Sequence, residues 1–331
     1  MNEERVTIRQ VARTAGVSIA TVSRVFAGAS SVSDTLRRRV EEAVDDLGYT
    51  PHEVARSLAL GRTSVVGILV PNLADPYVCG LVKRILHEAE KVHYRLIVTD
   101  TDENGTVEAA MAAGLVQRGD GLIAFSPRSD DEVIESFAGG GKPVVVVNRP
   151  VDSPRLSSVV VDGYPAMREL AGHLADLGHR RVAYLRGPAR SWQDAERWQA
   201  VSTLSERGVE VIPVECGGSL TDGYQAVPVA LEAGATALMA FNDLSAFGAL
   251  GALRELGKRV PEDVSITGFG DVPLTRCLYP TLTGAQGRQS DAGTATWRAM
   301  AALLNGERPG NRTVLRAEPV FRDSTAPPPA G

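Results

Sequence analysis

The sequence predicts an α/β protein in two parts: a small all-helical module at the amino terminus, then a larger body of two parallel sheets wrapped by helices. Three observations predict it. Residues 6–28 are densely patterned with helix start and stop signals. From Val65 onward, short β-rich runs alternate with amphipathic helical stretches. Charge is also unevenly divided. The 331 residues carry a net charge of −5, yet between Arg5 and Val40 seven Arg stand against one acid, Asp34, which leaves about −11 on the remainder. A basic arm on an acidic body suits a chain that binds a polyanion through one end, although a run of Arg also serves as an ordinary solvated helix face.

In the first helix, Thr7-Ile8-Arg9-Gln10 reads as a capping box, with Thr7 as cap and Gln10 reaching back. Ile8, Val11, Ala12 and Ala15 fall on one face, and Gly16 breaks the helix. Ser18 caps a second helix whose inner face is Val22, Val25 and Phe26. Two short helices around a Gly-containing turn make a helix-turn-helix, a pattern that small bundles without a DNA partner also show. Where DNA is the partner, the second helix enters the major groove with its first turns against base edges. Its outward residues here are Ile19, Ala20, Thr21 and Ser23, with Arg24 close behind. Small side chains admit close approach, while hydroxyls and a guanidinium supply hydrogen bonds to bases or phosphates. Ser33 caps a third helix carrying Leu36, Val40, Ala43, Val44 and Leu47, which Gly48 ends in the left-handed conformation. Pro51 opens a further short helix with Val54, Ala55 and Leu58 on one face and Gly61 as its stop.

The order TIRQVARTAGVSIATVSRVFAG, then VSDTLRRRVEEAVDDLGYTPHEVARSLALGRT, closely resembles the amino-terminal module of the LacI/GalR family of transcription regulators over about sixty positions. The resemblance implies a DNA-binding set. Thr7, Ser18 and Ser33 would touch phosphates. Ile19, Ala20 and Arg24 would read bases, with Thr21 and Ser23 beside them, and Tyr49 and His52 would complete the set. Residues 54–60 would form a hinge helix whose Ala55 and Leu58 enter the minor groove. Leu58 would be the apolar wedge that kinks a base step; packing between hinge helices is its plainer use. His52 stands where the family usually carries Asn.

Farther on, the runs SVVGILVP, YRLIVTD, GLIAFS, PVVVVN, SSVVVD, RVAYLRG, ATALMAFN and VSITGFG alternate with helical stretches such as 82–92, 166–178 and 243–256. Continuous apolar runs in βα alternation mean parallel strands buried on both faces. Ligands of such sheets bind at the carboxyl ends of strands. Here too the chain is similar to the family: HLADLGHRRVAYLRGP, AFNDLSAFGALGALRELGKRVPEDVSITGFGD and YPTLT look like its effector-binding core. That implies the periplasmic-binding-protein-like fold of two lobes, three crossovers and one cleft. The implied division is a DNA-binding domain over 1–50, hinge helix and linker over 51–63, and a core over 64–324. Within the core, the amino-terminal lobe would take about 65–162 and 292–320, and the carboxyl-terminal lobe about 163–291; residues 325–331 would be a disordered tail. The leucine-heptad extension of tetrameric members is not evident, which favours a homodimer.

A sugar-like effector needs planar hydrogen-bonding partners and an apolar platform. Matched to the family's motifs, the candidates are Asp75 and Tyr77 in NLADPYV, Asn148 after PVVVV, Arg197 at the end of GPARSWQDAER, and Asn242 after LMAF. Trp192 is a candidate stacking ring, and Asp271 the nearest carboxylate in GFGD. Arg197 matches the family's effector-anchoring Arg. The others have plainer uses: Asp75 and Asn242 as helix caps, Asn148 in a turn before Pro150, Trp192 and its neighbour Trp198 as core. Two departures thin the usual contacts. Gly270 stands where many members carry an acid, and Gly217 and Gly218 where an aromatic often stacks.

Cys79, Cys216 and Cys277 are odd in number and far apart, and the five His show no ligand spacing. Neither a disulfide framework nor a metal site is expected, no cofactor is implied, and a reducing cytoplasm fits. No apolar run reaches about 18 residues and the amino terminus is polar, so neither a membrane span nor a secretory signal is expected. An enzyme is disfavoured: there is no GxGxxG after the first strand and no GxSxG elbow, and Gly139-Gly140-Gly141-Lys142 lacks the first Gly of a phosphate loop. A transporter's solute-binding protein would share the core but not the helical module. The expected function is a dimeric regulator, by resemblance a repressor. It would bind palindromic double-stranded operator DNA, and a sugar-like metabolite in the cleft would change its affinity.

Overall fold

A computed structural model describes residues 6–26, 32–49 and 62–329. The expected hinge helix, with His52, Ala55 and Leu58, lies outside the described residues. The chain divides into a head, which includes the helical module, and a body.

The head contains α1 (Ile8–Thr14), α2 (Ile19–Phe26) and α3 (Asp34–Leu47). The capping box is formed: the Thr7 amide donates to Gln10 Oε1 at 2.7 Å. Gly16 takes φ +63°, which lets the chain turn sharply between α1 and α2. Val11, Val22, Val25, Val40 and Ala43 meet in one small core, the inner faces that the 3.6-residue spacing marks out. At the far end of the head's sequence, Asp120 fastens the chain leaving the linker. Its Oδ1 accepts from the Thr63 amide at 2.8 Å and from Thr63 Oγ1 at 2.8 Å, and its Oδ2 accepts from the Ser64 amide at 2.8 Å.

The body begins with β1 (Val65–Val70), α4 (Pro76–Glu90), β2 (Arg95–Asp100), α5 (Gly105–Arg118), β3 (Gly121–Phe125), α6 (Asp131–Ser136), β4 (Val144–Val147) and β5 (Ser157–Asp162). It continues with α7 (Tyr164–Asp176), β6 (Arg181–Leu185), α8 (Trp192–Ser202), β7 (Glu210–Val214), α9 (Leu220–Glu232), β8 (Ala237–Ala240), α10 (Asp243–Glu255), β9 (Ser265–Gly270) and β10 (Thr283–Gln286). Then come α11 (Gln289–Leu304), β11 (Arg312–Arg316) and β12 (Pro319–Val320). Two six-stranded sheets result, ordered β11-β5-β4-β3-β1-β2 and β12-β10-β9-β8-β6-β7. Strands covered on both faces are apolar throughout, as in β4, where all four Val are fully buried. The edge strand β2 alternates instead.

The chain passes between the lobes three times, after β5, after β10 and after β11, and hydrogen bonds tie the passages together. The Ala317 amide donates to Asp162 O at 3.0 Å and the Gln286 amide to Glu318 O at 2.8 Å. Two expectations are corrected. The return through the amino-terminal lobe ends with β11, because β12 joins the other sheet, antiparallel to β10. The tail is also not disordered from 325. The buried His179 ring contacts Ala326 O at 3.0 Å through Nε2, and the Ala326 amide donates to Ser265 Oγ at 3.0 Å. His173 Nε2 lies 3.0 Å from Thr325 Oγ1. A Pro-rich composition suggested disorder; two distant histidines and a serine supply the partners that composition cannot show.

Burial holds the His179 imidazole below its ordinary pKa, so the folded protein keeps it neutral. The unfolded chain takes up that proton near pH 6.5, so stability falls as pH drops below that value. The fall in Tm between pH 7.5 and 5.5, read by calorimetry, is expected to be smaller in His179→Gln.

Candidate DNA-binding face and effector cleft

On the head, the outward residues of α2 stand as expected. Ser18, Ile19, Ala20 and Arg24 are exposed, and Thr21 and Ser23 are half-buried. Ser18 caps α2, its Oγ accepting from the Thr21 amide at 3.1 Å. Thr7 and Ser33 are exposed at the starts of α1 and α3, and the Ser33 side chain makes no cap hydrogen bond. Arg9, Arg13, Arg38 and Arg39 are also exposed, so the local positive charge faces solvent. Tyr49 differs from the others in its burial. It is buried and stacks on Phe26 with ring centroids 6.2 Å apart, which makes it part of the head's core. A small core needs every large apolar face it can bury.

The cleft is built on the body from strand ends. On the amino-terminal lobe, Asp75 caps α4, with Oδ1 accepting from the Tyr77 amide at 2.8 Å. Its Oδ2 accepts from Asn242 Nδ2 at 3.1 Å, a hydrogen bond from one lobe to the other. The Tyr77 hydroxyl donates to Gly287 O at 2.8 Å, at the second passage, and burial pushes its pKa up to about 12. Asn148 and Ser126 follow β4 and β3 in left-handed conformation, φ +56° and +44°. Asn148 Nδ2 reaches the Tyr77 hydroxyl at 3.4 Å. Asn148 Oδ1 and Ser126 Oγ are buried without a partner among the described residues.

On the carboxyl-terminal lobe, Asp194 bolts the start of α8 to the end of β6. It accepts from the Gly187 amide at 2.6 Å, the Tyr184 hydroxyl at 3.0 Å and Arg186 Nε at 2.8 Å. Three residues later on the same helix face comes Arg197. It is 6% exposed, its guanidinium lies 3.6 Å from the Phe269 ring centroid and 4.7 Å from that of Phe241, and Nη1 donates to Phe241 O at 2.5 Å. Nε has no partner, and no carboxylate lies within ion-pair distance among the described residues. Asn242 both caps α10, accepting from the Ser245 amide at 2.9 Å, and donates to Gly218 O at 3.0 Å.

The structure thus brings Asp75, Tyr77, Arg197 and Asn242 to one cleft, with Asn148 beside Tyr77. Trp192 and Asp271 do not line it. Trp192 is the first residue of α8, and the Trp198 ring sits 4.9 Å from the Arg186 guanidinium and 6.0 Å from the Tyr184 ring. Asp271 is turned into an ion-pair cluster with Arg322 and Arg276. Gly270 precedes it at φ +141°, where an added Cβ would be strained and would meet Asp243 Oδ2 at 2.8 Å.

Sequence reasoning missed Ser126, Arg128, Glu103, Phe241 and Phe269, all of which line the cleft. Phe241 was detectable as the residue before Asn242. Arg128 was not: it is pulled in by Glu103, with Nε to Oε2 at 2.6 Å, and donates to Ser126 O. Gly218 leaves room for Phe241, whose ring an added Cβ would meet at 3.2 Å. The missing aromatic is therefore supplied from β8's end. The space left between the lobes is about 50 Å³, room for on the order of three or four waters.

A helix-turn-helix head on a two-lobed α/β body defines a DNA-binding transcriptional regulator. The chain belongs to the lacI family of bacterial regulatory proteins. Residues 7–52 match the family described as "Bacterial regulatory proteins, lacI family" and residues 171–325 the "Periplasmic binding protein-like domain". The HTH-type transcriptional regulator DegA of Bacillus subtilis (strain 168) is 30% identical over 98% of this chain and 99% of its own length. Catabolite control protein A of Priestia megaterium is 30% identical over 97% and 99%. The lac repressor dimer bound to operator and the anti-inducer ONPF superposes with a TM-score of 0.85 at 28% identity, covering 98% of this chain and 100% of that one. Among the described residues no group of His, Cys, Asp and Glu could hold a metal, and no helix is long and apolar enough to cross a membrane.

Burial, with Asp162 nearby, pushes the Glu196 carboxyl up to about 7. Between about pH 4.5 and 7 the folded state keeps a proton that the unfolded state releases, so stability falls as pH rises through that window. Glu196→Gln is expected to remove part of this fall, measured as the difference in Tm between pH 5 and pH 8.

Proposed function

We propose that this chain is a homodimeric, ligand-controlled repressor whose hold on operator DNA is set by a small polar molecule in the cleft around Arg197. One observation carries the reading: a buried guanidinium without a carboxylate partner sits between two lobes, on a chain that also carries a helix-turn-helix. An unpaired buried charge is strongly unfavourable unless a ligand completes its environment. Related proteins support the ligand class. A regulator named CelR, 28% identical with a TM-score of 0.70, was solved with cellobiose, and an Enterococcus faecium member, 25% identical with a TM-score of 0.71, with ribose.

Two heads present two α2 helices to half-sites on one face of a palindromic duplex. Ile19, Ala20 and Arg24 read bases; Thr7, Ser18 and Ser33 hold phosphates. The protein works in the cytoplasm, where that DNA is. Residues 51–60 are the switch, a segment too short to hold a helix alone in water. The cleft must part to admit a ligand and shut to hold it, which moves the lobes about the three passages. Strand β3 gives the coupling a route along the chain: Asp120, which fastens Thr63 and Ser64, directly precedes it, and the cleft residue Phe125 ends it.

Fluorescence anisotropy on duplexes from the protein's own genomic neighbourhood tests the reading. Binding is expected to weaken steeply with salt. Arg24→Ala is expected to lose about 1–3 kcal/mol of operator binding with effector binding unchanged. Arg197→Ala is expected to keep operator binding and lose the response to effector. A response of unchanged affinity in Arg197→Ala would remove the cleft assignment.

A further inference from the structure

We infer that the small molecule taken by this cleft carries an oxyanion, a carboxylate or phosphate, on a small polyol, with the oxyanion against Arg197. The inference rests on the reading of the cleft as the effector site and adds the ligand's charge.

The carboxyl-terminal wall offers a cation with no carboxylate within ion-pair distance among the described residues; its neighbour Glu196 does not line the cleft, accepts from the Gly163 amide at 3.3 Å and is pushed by burial up to about 7. Asp194 is engaged by Tyr184, Gly187 and Arg186. Asp271 is held by Arg322 and Arg276, and Asp243 Oδ2 accepts from the Val272 amide at 3.0 Å. Position 270 is Gly and supplies no carboxylate. Arg197 is left with one carbonyl and two ring faces. Rings attract a guanidinium, but they do not neutralise it, and an oxyanion that presents two acceptor oxygens is the group that matches its donor fork.

The opposite wall does not cancel that charge. Glu103 is matched by Arg128, itself 4% exposed. The Asp75 carboxyl is already engaged by the Tyr77 amide and Asn242 Nδ2, and burial raises its pKa.

The same wall asks for hydroxyls. Asn148 Oδ1 and Ser126 Oγ are buried, unpartnered, and held in left-handed backbone at adjacent strand ends. Asn148 Oδ1 can only accept, and leaving it unmet is unfavourable. Ligand hydroxyls supply the donors. Phe125, Tyr77 and Phe241 leave apolar faces for the carbon skeleton.

The test is calorimetric titration of the full-length protein with matched pairs: hexonates against hexitols, hexuronates and pentonates against the neutral sugars, and sugar phosphates against the same sugars. At least one anionic member is expected to bind tenfold or more tightly than its neutral partner; whether acid or phosphate wins identifies the oxyanion. Arg197→Gln is expected to abolish that advantage with Tm retained, and Arg197→Lys, which keeps the charge, to preserve part of it. Neutral members that bind as tightly as their anionic partners overturn the inference and leave the cleft reading standing. Binding that is unchanged in Arg197→Gln places the ligand elsewhere and overturns both. Failure of every pair to bind overturns the inference as stated.

Discussion

The burial of one guanidinium between two lobes sets the terms for the whole cleft. Arg197 is withdrawn from water, and its surroundings are arranged to tolerate a charge without cancelling it. Asp194 fixes the helix that carries it, Phe269 and Phe241 face it, and a single carbonyl accepts from it. The glycines follow from the same constraint. Gly218 admits the Phe241 ring and Gly270 admits Asp243, so the wall closes around the cation with rings and backbone. A site of this kind is poised, since its own residues leave the last favourable contact to something that arrives from solvent.

The two lobes are coupled loosely across the cleft and tightly where the chain crosses. Across the cleft, Asp75 meets Asn242 through one hydrogen bond, and Asp130 meets Arg190 through an exposed ion pair. Such contacts are each worth about 1 kcal/mol or less. At the passages, by contrast, the strands bond to one another, and Tyr77 anchors α4 to Gly287. Weak contacts in front and hydrogen-bonded passages behind are the arrangement that the proposed switch requires, since a ligand shifts an equilibrium only through its differential affinity for two states.

The sequence by itself determined the architecture. Capping box, glycine stop and inner-face spacing are local signals, and they placed α1, α2 and α3 where the structure has them. Buried parallel strands leave continuous apolar runs, so the eight quoted runs each fall on a strand. Asp75, Tyr77, Arg197 and Asn242 were legible because each follows a strand or opens a helix, the positions that a βα fold turns toward its crevice. What only the tertiary structure decided was the partnership of each polar group. Asp271 looked available until Arg322, far along the chain, claimed it, and the stacking of Tyr49 on Phe26 carried no local signal. Arg128 and Ser126 carried no motif, and His179 gave no sign that it would hold the tail. The physical reason is range: capping and periodicity act over a few residues and are written locally, whereas burial, ion pairing and hydrogen-bond competition depend on neighbours that the folded chain alone brings together.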